Sequence, residues 1–186
     1  YTTLFRSGLA FLLLALGTER PALQRSFGET WGGKIVVLLD QSESFWRDPG
    51  KARGALDLAA ERITEFLAEM PPDQADAWRG ELRGFGRTGT RLGAESSAAN
   101  LAETLRRHQP DRVADASNLG AGLLGSLDAL RNFDGQRMVV LLTDGLADAP
   151  PEDALLSEFR AAGIPINVIA AGAGAPSAGL VAANLG

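Results

Sequence analysis

Two short stretches of the chain are apolar at almost every position, and each runs directly into an aspartate. Residues 34–39 read KIVVLL and precede Asp40, and residues 137–143 read RMVVLLT and precede Asp144. A strand without a polar face has to be covered on both sides, which is typical of central strands in parallel sheets. The two stretches therefore predict an α/β protein with helices on both faces of its sheet.

The segments around these strands carry the remaining elements of such a sheet. Residues 51–69 have an apolar stripe of helical period, and Pro71 and Pro72 end it. Gly163 is expected to close a helix that starts near Pro151. Strands that alternate with helices favour a mostly parallel sheet. The other predicted elements are helices at 97–108 and 118–133 and a strand within 164–172.

Residues 76–85 change to a period of two. Trp78 and Leu82 alternate with Arg79, Glu81 and Arg83, which predicts a half-exposed strand near a sheet edge. Residues 88–92 are placed to pair back onto it as a hairpin.

The first 30 residues are a lead-in that we separate from the domain, which we assign to 31–186. Residues 9–16 read LAFLLLAL, shorter than the roughly 20 residues that span a bilayer. Three interpretations stay open, namely a buried element, a signal sequence core, or the end of a transmembrane helix. Because the chain begins with Tyr1 and not with Met, we interpret its start as artefactual and the chain as truncated.

Composition excludes several kinds of chemistry. The chain has no cysteine, so disulfides, thiolate zinc sites and cysteine nucleophiles are absent. Its single histidine, His108, excludes a multi-histidine metal site and is expected to be a solvated helix end. With a formal net charge of −5 and no basic stripe, the chain is not expected to bind nucleic acid.

Oxygen-bearing side chains cluster after the predicted strands. Asp40, Ser42 and Ser44 alternate, so they point the same way if that loop stays extended. Ser117 precedes a helix and Asp144 ends a strand, and ligands of parallel sheets bind at the carboxyl ends of strands. Carboxylate and hydroxyl oxygens suit Mg²⁺ or Mn²⁺, with room left for water and an outside ligand. We refer to these five residues as the candidate metal site.

The three loops DQSES, SNLGAGL and TDG resemble the metal-ion-dependent adhesion site (MIDAS) of von Willebrand factor A (VWA) domains. The resemblance covers roughly Gly33 to Ala171. It implies a doubly wound, mostly parallel Rossmann-like sheet with one short antiparallel edge strand. It also implies a protein-binding module in which a partner's Asp or Glu completes the shell of the metal. The family's threonine is Ser117 here, which keeps the hydroxyl group.

The lead-in resembles bacterial membrane-anchored VWA proteins of the aerotolerance type, in which a transmembrane helix ends just before the domain. The shared features are FLLLALGTERPAL followed by GGKIVVLLDQSES. This resemblance implies membrane anchoring through flanking helices, with the domain on the periplasmic side.

Two alternatives to a binding module stay open. One is a Mg²⁺-dependent phosphotransferase of the haloacid-dehalogenase type with Asp40 as nucleophile, although such enzymes need an acid where this chain has Ser42. The other is a degenerate VWA domain with a purely structural role. No general base is visible in the loops, so we expect no enzymatic activity. Glu43 and Asp148 are expected to be exposed acids near the site, and a role in orienting the metal ligands stays open for both. Asp115 is expected to be a loop or cap residue, and Trp46 a packing residue or a rim contact for a partner.

Overall fold

The computed structural model describes residues 32–148 and 151–171, together with the backbone of 180–183. The lead-in and its three interpretations lie outside the described residues. The described strands form one seven-stranded sheet. Their bounds are β1 Gly33–Asp40, β2 Arg79–Phe85, β3 Gly89–Arg91, β4 Ser96–Ser97, β5 Gln136–Thr143, β6 Ile166–Ala170 and β7 Leu180–Ala183.

The helices of the described ranges lie between these strands along the chain, three of them between β1 and β2. Gly163 follows the last described helix with a positive φ of 63°, as its predicted role at a helix end requires. No helix in the described ranges is both long enough and apolar enough to span a membrane. The helix bounds are α1 Glu43–Trp46, α2 Pro49–Ala68, α3 Pro72–Asp76, α4 Ala98–Arg107, α5 Leu119–Arg131 and α6 Asp153–Ala161.

The strand order is β3-β2-β1-β5-β6-β7, and β4 pairs with β2 beside β3. The four inner strands β2, β1, β5 and β6 are parallel. β3 and β4 pair antiparallel with β2, and β7 pairs antiparallel with β6. The predicted α/β fold with a mostly parallel sheet and an antiparallel edge hairpin is confirmed. The sequence did not predict the short strands β4 and β7.

Two hydrophobic layers enclose the sheet. Every residue of β1 is buried, as its unbroken apolar pattern predicts. Ile35, Val37 and Leu39 face the layer that contains α2 and α4. Val36 and Leu38 face the layer of α5 and α6, in which Phe159 is the buried residue of α6. Because helices cover both faces of the sheet, the carboxyl ends of β1 and β5 remain as the place where a site can form.

The expectation of a half-exposed strand at 76–85 holds at Arg79, which is exposed, but it is wrong at Glu81. Glu81 is only 3 % exposed and Lys34 only 6 %. Glu81 bonds to Lys34 at 3.0 Å, to Arg83 at 2.6 Å and to Arg91 at 3.3 Å. Charged and apolar residues do alternate along the strand, but α5 packs on the charged face and the charges neutralise one another there.

Candidate metal centre

Asp40 ends β1 with a carboxylate that has no solvent exposure. Its Oδ1 accepts a hydrogen bond from the backbone N–H of Ser42 at 2.9 Å. Its Oδ2 accepts one from the hydroxyl of Thr143, also at 2.9 Å. Burial raises the pKa of Asp40, and the nearby charge of Asp144 adds to that effect, whereas the two hydrogen bonds oppose it. An unpaired buried carboxylate of this kind is suited to a positive charge close by.

Ser42 and Ser44 come together in a different way from the one predicted. The loop does not stay extended, because Ser42 caps α1 by accepting a hydrogen bond from Phe45 N at 3.3 Å. The two serine hydroxyls nevertheless lie 3.0 Å apart. A serine is a favourable helix cap, and this local preference replaces the expected alternation with a single helical turn.

The loop before α5 holds Ser117 in a buried position. The Ser117 backbone donates to Asp148 Oδ2 at 2.6 Å and accepts from Asp148 N at 3.0 Å. Asn118 N donates to Gly86 O at 2.7 Å. The Ser117 hydroxyl has no hydrogen-bond partner among the described residues, although it is buried. A buried hydroxyl without a partner is costly, so it points to a missing ligand.

Backbone hydrogen bonds join the Ser117 loop to the loop after β1. Ala114 N donates to Gln41 O at 2.6 Å, and Glu43 N donates to Ala114 O at 2.9 Å. These bonds form a parallel bridge between Ser42 and Ala114. The bridge places the segment that leads to Ser117 directly alongside the residues that follow Asp40.

Asp144 follows β5, which is the neighbour of β1 in the sheet. Its Oδ1 accepts a hydrogen bond from Leu146 N at 2.9 Å, and Gly145 makes the turn with a φ of 77°. All five residues of the candidate metal site thus lie on three adjoining loops at one edge of the sheet. Hydrogen bonds connect Asp40, Ser42 and Ser44 within their loop. Backbone hydrogen bonds and the pairing of β5 with β1 place the other two loops beside it.

The residues present fit a hard divalent cation. The site offers two carboxylates and three hydroxyls. Among the described residues, no group of three or more His, Cys, Asp or Glu side chains is placed to hold a metal, so a metal here would depend on the hydroxyls as well. Mg²⁺ commonly takes one or two carboxylates and keeps several waters. Mn²⁺ accepts the same ligand types.

Thr143 and Trp46 have roles around the site that sequence reasoning did not assign, and Asp148 has the supporting role that it left open. Thr143 bonds to Asp40, Asp148 holds Ser117, and the Trp46 indole N–H donates to Asp40 O at 3.1 Å. Thr143 stands inside the TDG motif, so the motif was the available signal for it. Asp148 is exposed at the surface, as expected, but its carboxylate fixes the neighbouring loop.

Of the remaining expectations near the site, those for Glu43 and Asp115 are confirmed and the one for His108 is wrong in part. Glu43 is exposed, and Asp115 is exposed and pairs with Arg87 at 2.7 Å. His108 does end α4, but it is not solvated as predicted. Its ring is half-buried and lies 6.2 Å from the Trp46 ring, and burial lowers its pKa.

Comparison with known proteins supports the fold. No protein-family model matches the chain, and no curated protein matches its sequence. An aerotolerance-related membrane protein from Bacteroides fragilis is similar with a TM-score of 0.55 and 17 % identity, over 75 % of this chain and 67 % of that one. The protein BatB from Bacteroides thetaiotaomicron gives a TM-score of 0.54 and 15 % identity, over 75 % of this chain and 66 % of that one.

A third similar structure is proximal thread matrix protein 1 from the mussel byssus, described with a zinc-occupied MIDAS motif. It gives a TM-score of 0.55 and 19 % identity, and the match covers 78 % of this chain but only 37 % of the mussel protein. At such identities the likeness concerns the fold alone. The chain has the α/β fold of VWA-like domains.

Proposed function

We propose that this domain is a metal-dependent protein-binding module. Asp40, Ser42, Ser44, Ser117 and Asp144 hold Mg²⁺ or Mn²⁺, and an Asp or Glu of a protein partner completes the coordination shell. The observation that carries this proposal is the buried Ser117 hydroxyl, which lacks a partner beside two hydroxyls and a buried carboxylate.

Each residue has a distinct part in this arrangement. Ser42, Ser44 and Ser117 present neutral oxygens that contact the cation directly. Asp40 is fully buried and its two oxygens already accept hydrogen bonds, so it acts partly through water, as does Asp144. A bound divalent cation supplies a concentrated positive charge that few protein carboxylates neutralise, which favours an anionic ligand from outside.

The same geometry speaks against the phosphotransferase alternative. A nucleophilic aspartate needs an oxygen that is free and open to the substrate. Asp40 has neither solvent exposure nor an oxygen without a hydrogen bond. We therefore propose that the module binds and does not catalyse.

We further propose that the domain belongs to a bacterial membrane-anchored protein and faces the periplasm. The support is the apolar lead-in and the likeness to a protein described as an aerotolerance-related membrane protein. The test is fractionation of the bacterial cells that produce the protein naturally, with an antibody raised against the domain. Recovery in the membrane fraction, with cleavage by protease added to spheroplasts, supports the proposal, and recovery in the soluble cytoplasm contradicts it.

Calorimetric titration of the full chain with MgCl₂ and MnCl₂ tests the metal site. Ser117→Ala is expected to lose most of the binding, because it removes a direct ligand. Ser126→Ala is the matched control, since Ser126 is also fully buried but its hydroxyl donates to Gly122 O at 3.0 Å. This control is expected to bind metal as the wild type does.

Unfolding of Ser117→Ala and Ser126→Ala in EDTA provides an independent test. Removing the Ser126 hydroxyl takes away a hydrogen bond and is expected to cost about 1 kcal/mol. Removing the unpaired Ser117 hydroxyl is expected to leave stability unchanged or to raise it. The absence of saturable binding to the wild-type chain would refute the metal site and favour the purely structural alternative.

A further inference from the structure

An open groove lies directly beside the candidate metal site. Its volume is about 1160 Å³, and it runs between the β3 hairpin, the end of α4 and the segment 108–114. Gln41 and Ala114, whose backbones connect the two metal-site loops, are among the residues that line it. We call it the edge groove. A ligand that reached the metal from this side would continue into it.

Apolar side chains are exposed along the edge groove. Leu92 is 36 % exposed and Val113 is 47 % exposed, and both line it. They are two of only four large hydrophobic side chains that are exposed in the described part of the chain. A third, Leu146, follows Asp144 in the TDG loop. Exposed apolar side chains gathered around one site are a feature of interaction surfaces.

Gln41 adds an unused hydrogen-bond donor. The residue is only 8 % exposed and lines the groove, yet its Nε2 has no hydrogen-bond partner in the described ranges. An unpaired buried amide is costly. A carbonyl or carboxylate oxygen of a ligand in the groove would satisfy it.

The charges of the groove favour an acidic ligand. Its lining includes the three arginines Arg87, Arg107 and Arg112 against two acidic residues. Arg87 pairs with Asp115 at 2.7 Å and Arg107 with Glu103 at 3.5 Å. Arg112 is exposed and forms no ion pair with any described residue. It is therefore available to an incoming carboxylate.

We infer that the edge groove receives the segment of the protein partner that adjoins its metal-binding Asp or Glu. This segment is extended and carries an apolar side chain that packs against Leu92 and Val113. A second acidic residue of the segment pairs with Arg112, and a main-chain or carboxylate oxygen accepts from Gln41. The inference rests on the proposed function, because the metal fixes one end of the segment. It adds to that function the residue types that the partner's segment contains.

Selection from a displayed peptide library tests the inference. The probe is a library of linear peptides with one fixed central Asp and randomised flanks, bound to the full chain in MgCl₂ and eluted with EDTA. Wild-type protein is expected to enrich a second acidic residue and an apolar residue at fixed distances on one side of the central Asp.

Charge reversal at the groove gives the decisive comparison. Arg112→Glu is expected to replace the second acidic residue by a basic one among the selected peptides. It is also expected to weaken binding of the peptide that the wild-type protein selects most strongly, by about five- to tenfold. Val113→Asp is expected to abolish the apolar preference. Arg160→Glu, at an exposed position on α6 outside the groove, is expected to select the same peptides as the wild type.

The outcomes separate the inference from the proposed function. If calorimetry detects no metal binding, both fall together. If metal binds but no peptide is enriched, or Arg112→Glu selects the same sequences as the wild type, the groove inference is overturned and the metal site stands. A preference that follows the charge at position 112 supports the inference.

Discussion

The hydroxyl of Thr143 donates a 2.9 Å hydrogen bond to Asp40, a residue 103 positions earlier in the chain. The two residues end neighbouring parallel strands, so the register of β1 and β5 brings them together. Thr143 also accepts a hydrogen bond from Gly145 N at 3.1 Å. One side chain thus fixes both the buried carboxylate and the turn that carries Asp144.

Thr143→Val is expected to weaken both stability and metal binding. It keeps the shape of the side chain but leaves one oxygen of a buried carboxylate without its donor. Hydrogen bonds to charged groups contribute about 1.5–3 kcal/mol, so the free energy of unfolding in EDTA should fall by about that amount. Urea denaturation at neutral pH measures it. Thr143→Ser retains the hydroxyl and should keep most of both properties, whereas equal losses in the two variants would contradict this role.

Asp148→Ala is expected to weaken metal binding without removing a proposed ligand. Asp148 accepts from Ser117 N at 2.6 Å and so holds the backbone of that loop. Loss of a residue that orients a ligand commonly reduces metal affinity by about 10- to 100-fold. Calorimetry measures the change, with Asp128→Ala, an exposed residue of α5, as the control. Unchanged affinity in Asp148→Ala would show that the Ser117 loop needs no such support.

Glu81 is expected to make stability depend on acid pH. Burial opposes its ionisation, but hydrogen bonds from Lys34 and Arg83 and the charge of Arg91 prevail and lower the pKa of Glu81 below its ordinary 4.5. Ionised Glu81 therefore stabilises the fold above pH 4.5, and this contribution is lost as the pH falls through the lowered pKa.

Glu81→Gln tests this dependence. Removing one partner of a buried ion pair is expected to cost about 3 kcal/mol at neutral pH. The difference from the wild type should shrink below pH 4.5, as urea denaturation across the acid range would measure. Glu158→Gln breaks the exposed pair with Arg131 and should cost less than about 0.5 kcal/mol at every pH. A difference that stays constant into acid would contradict a role for the Glu81 charge.

Alanine substitution of two helical glycines is expected to change the stability of the fold in opposite directions. At Gly122 in α5, a Cβ atom would lie 2.6 Å from the Cβ of Phe85 and 3.1 Å from Leu38, so Gly122→Ala must push the helix off the sheet. Overpacking of this kind typically costs about 1–3 kcal/mol. Gly54 in α2 has nothing within 4 Å of that position, so Gly54→Ala should stabilise by about 0.5–1 kcal/mol.

Thermal unfolding of both variants measures the contrast between the two glycines. Because α5 begins just after Ser117, Gly122→Ala should also weaken metal binding, whereas Gly54→Ala should leave it unchanged. Stabilisation by Gly122→Ala would show that α5 does not pack closely on the sheet.

Much of the architecture could be predicted from local sequence. The unbroken apolar runs at 34–39 and 137–143 identified the two central strands, because neighbouring residues alone fix whether a strand has a polar face. The helical stripe at 51–69 predicted α2 to within two residues at its start. Local preferences also misled, since the cap formed by Ser42 converted the expected extended loop into a turn of helix.

The sequence by itself determined the fold class and nominated five oxygen ligands. Only the tertiary structure decided that Glu81 is buried, that Thr143 reaches Asp40 and that the Ser117 hydroxyl is left without a partner. It alone also placed Leu92, Val113 and Arg112 around one groove. The physical reason is that periodicity and capping depend on residues a few positions apart. Burial, charge pairing and unsatisfied hydrogen bonds depend instead on which strands and loops become neighbours.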